Sequence, residues 1–418
     1  MFSYPTTNIR NAVLGLMLLL TGCTSYISHD AFPYPLANGT SDKEVKVVTI
    51  PLPVIASSPN EGVTVGALSA FLLHDKNDTI NALLAPQINY NKNFGVSSTL
   101  YAAFYPSPDR YWETNLSKST KINEDYEFKL RDKTFLDKKL ELNLFAFALS
   151  DGSSRFFGFN AKTPAQRETN YTDREIGFNL SVGYDIGRHY QVIIGERYRD
   201  VEIDPGAVKN IPYIKNRFSE QSVPGINGFV AHAQRISFVY STLDSFTAPT
   251  FGGFAKATVE NSSKELGSDV DYRHYEAELK GFIPLDNARY ISVFRLVYNQ
   301  TLGNSVPFLE QSILGGENSL RGYGRNRFID NSFFLLNLEE RIRLFRWEIF
   351  NVKADWELAP FIDLGAVMER LDRSSGKQFE FNPGIGLRAV VRPNIIGRVD
   401  IGIGRDGPAV FVGLGYPF

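Results

Sequence analysis

The segment SILGGENSLRGYGRNRF, residues 312–328, gathers Gly315, Gly316, Gly322 and Gly324 with Arg321, Arg325 and Arg327 among few apolar side chains. Three kinds of chemistry use such a loop. Its backbone N–H groups can cradle phosphate, its glycines can shape a sharp turn, or it can fold inward so that carboxylates grip the planar fork of a guanidinium. Acidic candidates for that grip lie downstream, Glu339 in NLEER and Asp363 in FIDLGAV. The plainer alternative is an outer loop with solvated arginines. Other constellations are weaker. GIGRDG (402–407) has the G-x-G-x-x-G spacing, but PAVFVGLGYPF follows it, a strand and not the helix whose N-terminus would hold pyrophosphate. The histidines at 29, 74, 189, 232 and 274 never fall at ligand spacing, and no H-E-x-x-H, C-x-x-C or G-x-S-x-G is present. A Ser–His pair assembled across strands stays open on sequence grounds. No enzyme, metal or cofactor is expected.

The elements that must position these residues are strands. In IGFNLSVGYDI, Ile176, Phe178, Leu180, Val182, Tyr184 and Ile186 point one way and Gly177, Asn179, Ser181, Gly183 and Asp185 the other. The same alternation runs through LELNLFAFA, NPGIGLRAVV, GRVDIGIG and AVFVGLGYPF. In FFLLNLEERIRL it sets Phe334, Leu336, Leu338, Ile342 and Leu344 against Asn337, Glu339, Arg341 and Arg343. These runs are about ten residues long, enough to cross a bilayer at a tilt, whereas soluble sandwich strands average about five or six. Their polar faces carry Gly, Asn, Ser and charge, as a wet lumen requires. Aromatics, 32 Phe and 20 Tyr, crowd the strand ends. In hydrocarbon every backbone polar group must be paired, so the sheet must close. The fold class expected is all-β, a single transmembrane antiparallel β-barrel with an inward-folded extracellular loop. About seventeen runs can be marked from Glu61 onward, and bacterial single-chain barrels have even strand numbers, so sixteen strands are expected. The lysine-rich stretch from 120 to 149 reads as a solvated hairpin.

Composition narrows the rest. The 418 residues carry 44 basic and 46 acidic side chains, a formal charge of −2. That balance argues against nucleic acid as a partner. No apolar run reaches the roughly 18 to 20 residues of a spanning helix. AVLGLMLLL (12–20) after Arg10 has the order of a secretory signal, assigned to residues 1–22. LTGC resembles the bacterial lipobox, which would make Cys23 a lipidated N-terminus; Thr24 stands where an inner-membrane retention signal has Asp. The alternative is a plain signal cut nearby. Residues 23–60, rich in proline, read as a periplasmic tether, and 61–418 as the barrel in the outer-membrane bilayer.

LGGENSLRGYGRNRF, then NLEER, FIDLGAV and a last strand ending in Phe, resembles the bacterial surface antigen barrels, the BamA- and TamA-type insertases and the two-partner secretion translocators. The resemblance is specific over 312–418; upstream, only strand spacing and SSRFFGFN (153–160) share it. It implies that the tip Leu320-Arg321-Gly322-Tyr323 enters the lumen and that Arg321 pairs with Glu339 and Asp363. It also implies that Gly413, Tyr416 and Phe418, closing the last lipid-facing row, form an assembly signal; Phe411 departs from the polar residue usual there. The residues before 61 are too few for even one POTRA repeat. The function implied is movement or insertion of proteins or lipids at the outer membrane, with a secreted or membrane-inserted protein and the barrel assembly machinery as partners. The alternative is a passive channel or structural barrel.

Overall fold

The computed structural model describes residues 23–28, 44–74, 80–107, 109–349, 352–373, 376–391 and 395–418. The signal assigned to 1–22 lies outside them, as do residues 29–43 of the expected tether. Nineteen strands of the described residues join in one sheet. It begins with β1 (Cys23–Ser28), β2 (Glu44–Ser58), β3 (Gly62–His74), β4 (Ile80–Asn91) and β5 (Gly95–Ser107). It continues through β6 (Arg110–Ser119), β7 (Glu124–Phe135), β8 (Leu140–Phe156), β9 (Thr169–Asp185) and β10 (Tyr190–Pro205). Next come β11 (Phe229–Ser241), β12 (Gly252–Ser262), β13 (Tyr272–Leu285) and β14 (Tyr290–Gly303). An excursion holds the two-stranded pair β15 (Ser312–Leu314) and β16 (Phe328–Asp330). The wall resumes with β17 (Ser332–Ile349), β18 (Val352–Met368), β19 (Glu380–Val391), β20 (Ile395–Gly404) and β21 (Gly407–Leu414). Every wall strand pairs antiparallel with the next, and β14 pairs with β17 across the excursion.

The burial is inverted relative to a soluble core. Ile176, Leu180, Val182, Tyr184 and Ile186 are 37 to 59 % exposed, while Asn337, Glu339, Asp363, Asn382, Arg388 and Asp400 are buried. Apolar outside and polar inside is the pattern of a wall facing lipid. No helix of the described residues is long and apolar enough to cross a membrane; the strands do the crossing.

Three expectations change. Seventeen long strands follow Glu61 and one more, β2, precedes it; with the short β1 the sheet counts nineteen among the described residues. VKVVTIPLPVIA, assigned to the tether, lies in β2, which pairs with β3 from Lys46↔His74 to Ser58↔Gly62. The wall therefore has eighteen long strands rather than sixteen, and the short β1 pairs with the lower half of β2. The stretch 120–149 is wall as well. Tyr126, Phe128 and Leu130 alternate with Glu127, Lys129 and Arg131, whose charges are answered by ion pairs (Lys129–Glu127 2.9 Å, Arg131–Glu141 3.0 Å).

The sheet's ends meet along β2 and β21, whose backbones approach within 8 Å. Among the described residues no ladder joins them. Pro51 and Pro53 sit on this edge strand. A proline cannot donate to a ladder, so sheets tolerate it where no partner asks for its N–H. Thr49, Pro51 and Pro53 direct their backbone nitrogens to one side, because the strand period is two. The β1 ladder ends at Thr49, just before them.

Candidate functional site

The 312–328 loop enters the barrel from the end that carries the long loops. Gly315 (φ +115°) and Gly316 (φ +102°) turn the chain inward in a conformation that side chains rarely adopt. At the tip, backbone meets backbone. A Cβ on Gly402 would lie 2.3 Å from Arg321 O, and one on Gly404 would lie 2.5 Å from Gly322 O. The glycines of GIGRDG thus serve packing: they let the tip lie flat on β20, and Arg405-Asp406 turns the hairpin into β21.

Arg321 is held from several sides. Its Nη1 donates to Glu339 Oε2 at 2.6 Å, while Nε and Nη2 fork onto Asp363 at 2.9 and 2.8 Å. Its backbone N–H adds a third bond to Asp363 at 3.0 Å. The Phe361 ring lies 3.5 Å from the guanidinium carbon, a cation–π contact. Asn337 Nδ2 donates to Asp363 Oδ1 at 2.7 Å and to Ser319 O at 2.8 Å. The side chains of Arg321, Glu339 and Asp363 are at most 1 % exposed. A wet lumen was expected, and at this level the loop fills it.

Sequence reasoning stopped at two acids; the cluster is larger. Glu339 also accepts from Arg341 Nε at 3.0 Å and Arg388 Nη2 at 3.2 Å. Arg388 Nη2 donates to Asp400 Oδ1 at 2.7 Å, and Arg398 Nη1 to Asp400 Oδ2 at 3.4 Å. Four guanidinium groups therefore share three carboxylates. Leu320 packs beneath with Leu314, Phe328 and Val367. Tyr323 stacks edge-on against Phe328, donates its hydroxyl to Glu380 and accepts from the Arg405 N–H at 3.1 Å.

A second anchor was not foreseen. Glu310, at the loop's start, receives Arg197 Nη2 at 2.6 Å, Arg199 Nη1 at 2.9 Å and the Tyr272 hydroxyl at 2.6 Å. Burial works to raise its pKa, but Arg197 and Arg199 overcome that and hold it down to about 2.

The opposite end of the barrel corrects one expectation. Gly413, next to last in β21, stands opposite Arg398 in the ladder. Tyr416 and Phe418 do not continue a lipid-facing row: after Leu414 the chain turns at Gly415 (φ +79°) and runs inside. The Tyr416 ring lies 3.5 Å from the Arg341 guanidinium, and its hydroxyl donates to Glu357 at 2.8 Å. Phe418 packs by Phe282, Ile291 and Val293 and comes 5.5 Å from the Arg321 guanidinium. The reason is chemical, since the lumen offers these rings cations and a buried acceptor that lipid lacks. Residues 242–251 also fold across this mouth, with Phe246 4.3 Å from the Arg131 guanidinium and Ala248 buried by Val390, Ile396 and Tyr416. Cys23 opens β1 opposite Thr49. Among the described residues no group of three His, Cys, Asp or Glu is placed to hold a metal.

Residues 110–398 match the Omp85 superfamily domain, more than half of the chain. Among solved structures, BamA from Haemophilus ducreyi lacking POTRA domains 1–3 is similar at 14 % identity with a TM-score of 0.51, over 87 % of this chain and 74 % of that one. CdiB from Escherichia coli is similar at 10 % identity with a TM-score of 0.51, over 90 % of this chain and 63 % of that one. This chain thus spans less than two thirds of CdiB. At such identities the likeness is one of fold. None of the curated proteins compared with the chain matches it in sequence.

Proposed function

The chain belongs to the Omp85 superfamily, and from that premise we propose that it helps move or insert proteins or lipids at the outer membrane, with residues 312–328 holding the lumen shut. It is an outer-membrane β-barrel of the insertase and translocator type. In this reading the long loops face the exterior and the N-terminal side faces the periplasm, as in bacterial barrels generally. The observation that carries the proposal is the unlaced seam: β2 and β21 touch without a ladder beside a lumen filled at mid-height. A route through the wall is more accessible than one along the axis, which supports an insertase over a passive channel.

Two further assignments belong to this proposal. Gly413, Tyr416 and Phe418 serve as the assembly signal while the chain is extended, before the tail tucks into the lumen. Cys23 carries diacylglycerol, anchoring β1 at the membrane. A fatty-acid probe should then label wild type and not Cys23→Ser, and equal labelling would remove the anchor.

The experiment for the main proposal is reconstitution into liposomes. In a Cys23→Ser background, one cysteine replaces Ile50, Leu52 or Val54 and another replaces Ala409 or Phe411, so that oxidation staples the seam. The reduced protein should speed insertion of a small outer-membrane barrel, followed by its heat-modifiable mobility on gels, and the stapled form should fall to the protein-free rate. Equal rates with and without the staple would exclude the seam as the route.

A further inference from the structure

At the short-turn mouth a cavity of about 820 Å³ lies between the wall, the 242–251 segment and the residues after Leu414. None of the contacts that hold the 312–328 loop needs it. Its volume is that of a small-molecule site, far below a folded protein. One side is basic: Arg235 on β11, Lys256 on β12 and Lys280 on β13 all line it. Acids answer this charge only in part: of the carboxylates lining the cavity, Glu141 is paired with Arg131 and Asp185 with Lys133, and Glu113 is the third. Glu278 is the carboxylate nearest Lys280 (3.3 Å), and it is already taken by Arg295 Nε at 2.6 Å. Lys256 stands opposite Glu278 in the ladder, yet it forms no ion pair or side-chain hydrogen bond among the described residues. Arg235 stands opposite Glu260, but both Glu260 oxygens are occupied by Arg197, at 2.6 and 3.3 Å. Space is made for it: a Cβ on Gly195 would lie 2.9 Å from Arg235 Nε.

Apolar and aromatic side chains border these cations: Phe254, whose ring lies 5.4 Å from Lys280 Nζ, and Phe282 on the same strands, with Leu243, Tyr416 and Phe418 from the 242–251 segment and the tail. Lys256 and Arg235 without an acid partner, and Lys280 with one it shares with Arg295, are costly beside apolar surface unless something brings negative charge and apolar surface together. We propose that this cavity binds a phosphate-bearing amphiphile. Its phosphate sits on Lys256 and Lys280 within reach of Arg235, and its acyl chain lies along Leu243, Phe254 and the tail rings. A dianionic head suits this surplus of cations, and an ammonium-phosphate zwitterion does not. The site is independent of translocation, since ligand would bind whether or not the seam opens. It also lies next to the loop, because Arg295, which shares Glu278 with Lys280, donates to Asn318 O of that loop at 2.8 Å.

The test uses the purified full chain in detergent and a lysophosphatidic acid carrying a diazirine near the end of its chain. After illumination, mass spectrometry should place adducts in residues 243–254 and 415–418. Unlabelled lysophosphatidic acid should compete and lysophosphatidylcholine should not. Lys256→Gln with Lys280→Gln should reduce these adducts about tenfold, the scale of losing charged hydrogen bonds. Arg235→Gln is the second variant, and heat-modifiable mobility shows that each is folded. Adducts only on the lipid-facing wall, or unchanged in both folded variants, overturn the proposal. If inorganic phosphate competes as well as the lipid, the site holds a free anion and the amphiphile is overturned.

Discussion

Glu339 accepts hydrogen bonds from Arg321, Arg341 and Arg388 at once, so its loss would leave buried Arg341 with no carboxylate and take one of two acid partners from Arg321 and from Arg388. Removing one partner of a buried pair costs about 3 to 5 kcal/mol. Arg398 bonds Asp400 at 3.4 Å in a cluster with more guanidinium groups than carboxylates, so its loss leaves fewer charges unmet. Glu339→Gln should therefore lower the unfolding temperature in detergent well below that of Arg398→Gln; equal effects would mean that the cluster does not act through Glu339. Arg321→Ala should loosen the loop to added protease, and Arg321→Lys should restore only part, because an ammonium cannot fork onto Asp363 while reaching Glu339. The second anchor predicts a pH window. Glu310 is held at about 2 against an ordinary 4.5, a depressed carboxylate, so its contribution is complete above about 4.5 and is lost as pH falls through about 2. Protease cleavage of the loop should rise across that window in wild type, and Glu310→Gln should already be cleaved faster at neutral pH. Much of this cluster was legible. The period-two faces put Glu339 and Asp363 inside, and the resemblance supplied Arg321 as their partner. The same alternation in GRVDIGIG sets Arg398, Asp400, Gly402 and Gly404 on one face, a signal that was present but not followed to Asp400. Glu310 carried no signal, since its partners Arg197 and Arg199 lie more than a hundred residues upstream and only the closed barrel brings them near.

Among the elements, β2 shows how local composition can hide a strand. Its prolines at 51 and 53 read as linker punctuation, yet the wall also carries Pro86 in β4 and Pro360 in β18. At the seam the two prolines leave two N–H donors missing on a strand that makes no ladder with β21. An even strand number predicts sixteen by setting aside one run after Glu61, whereas seventeen long strands stand there and β2 precedes them. The tail was misplaced for a different reason: alternation in AVFVGLGYPF predicts the outward row only while the chain stays extended, and the turn at Gly415 ends that. Pro51→Val with Pro53→Val tests the role of β2. Two restored N–H donors allow β2 to zip onto β21, each hydrogen bond contributing about 1 kcal/mol. The double variant should unfold at a higher temperature and lose the insertion activity expected of wild type. If it unfolds no later and inserts as fast, the prolines do not keep the seam apart.

Across the whole molecule, the lumen is obstructed at two levels with different chemistry. The upper level is ionic and buried, the Arg321 tip on Glu339 and Asp363. The lower is made of rings and cations, with Tyr416 on Arg341 and Phe246 on Arg131, and Phe418 lies between the two levels, near Arg321. An ion-conducting path needs both to open. Planar-bilayer recording should show small, flickering conductance in wild type. Deleting 312–328 removes only the upper obstruction, so steps should grow modestly while residues 242–251 and the tail still bridge the mouth. Deleting 415–418 as well, in protein refolded in detergent because these residues also belong to the proposed assembly signal, removes Tyr416 and Phe418 and frees Arg341, and large steps should then appear. High salt should enlarge the wild-type flicker little, because charges this deep are screened far less than exposed ones. Large steps from the loop deletion alone would show that the lower mouth is no barrier. A steady large pore in wild type would show that neither level closes the lumen, and the passive channel would then be the better account of this barrel.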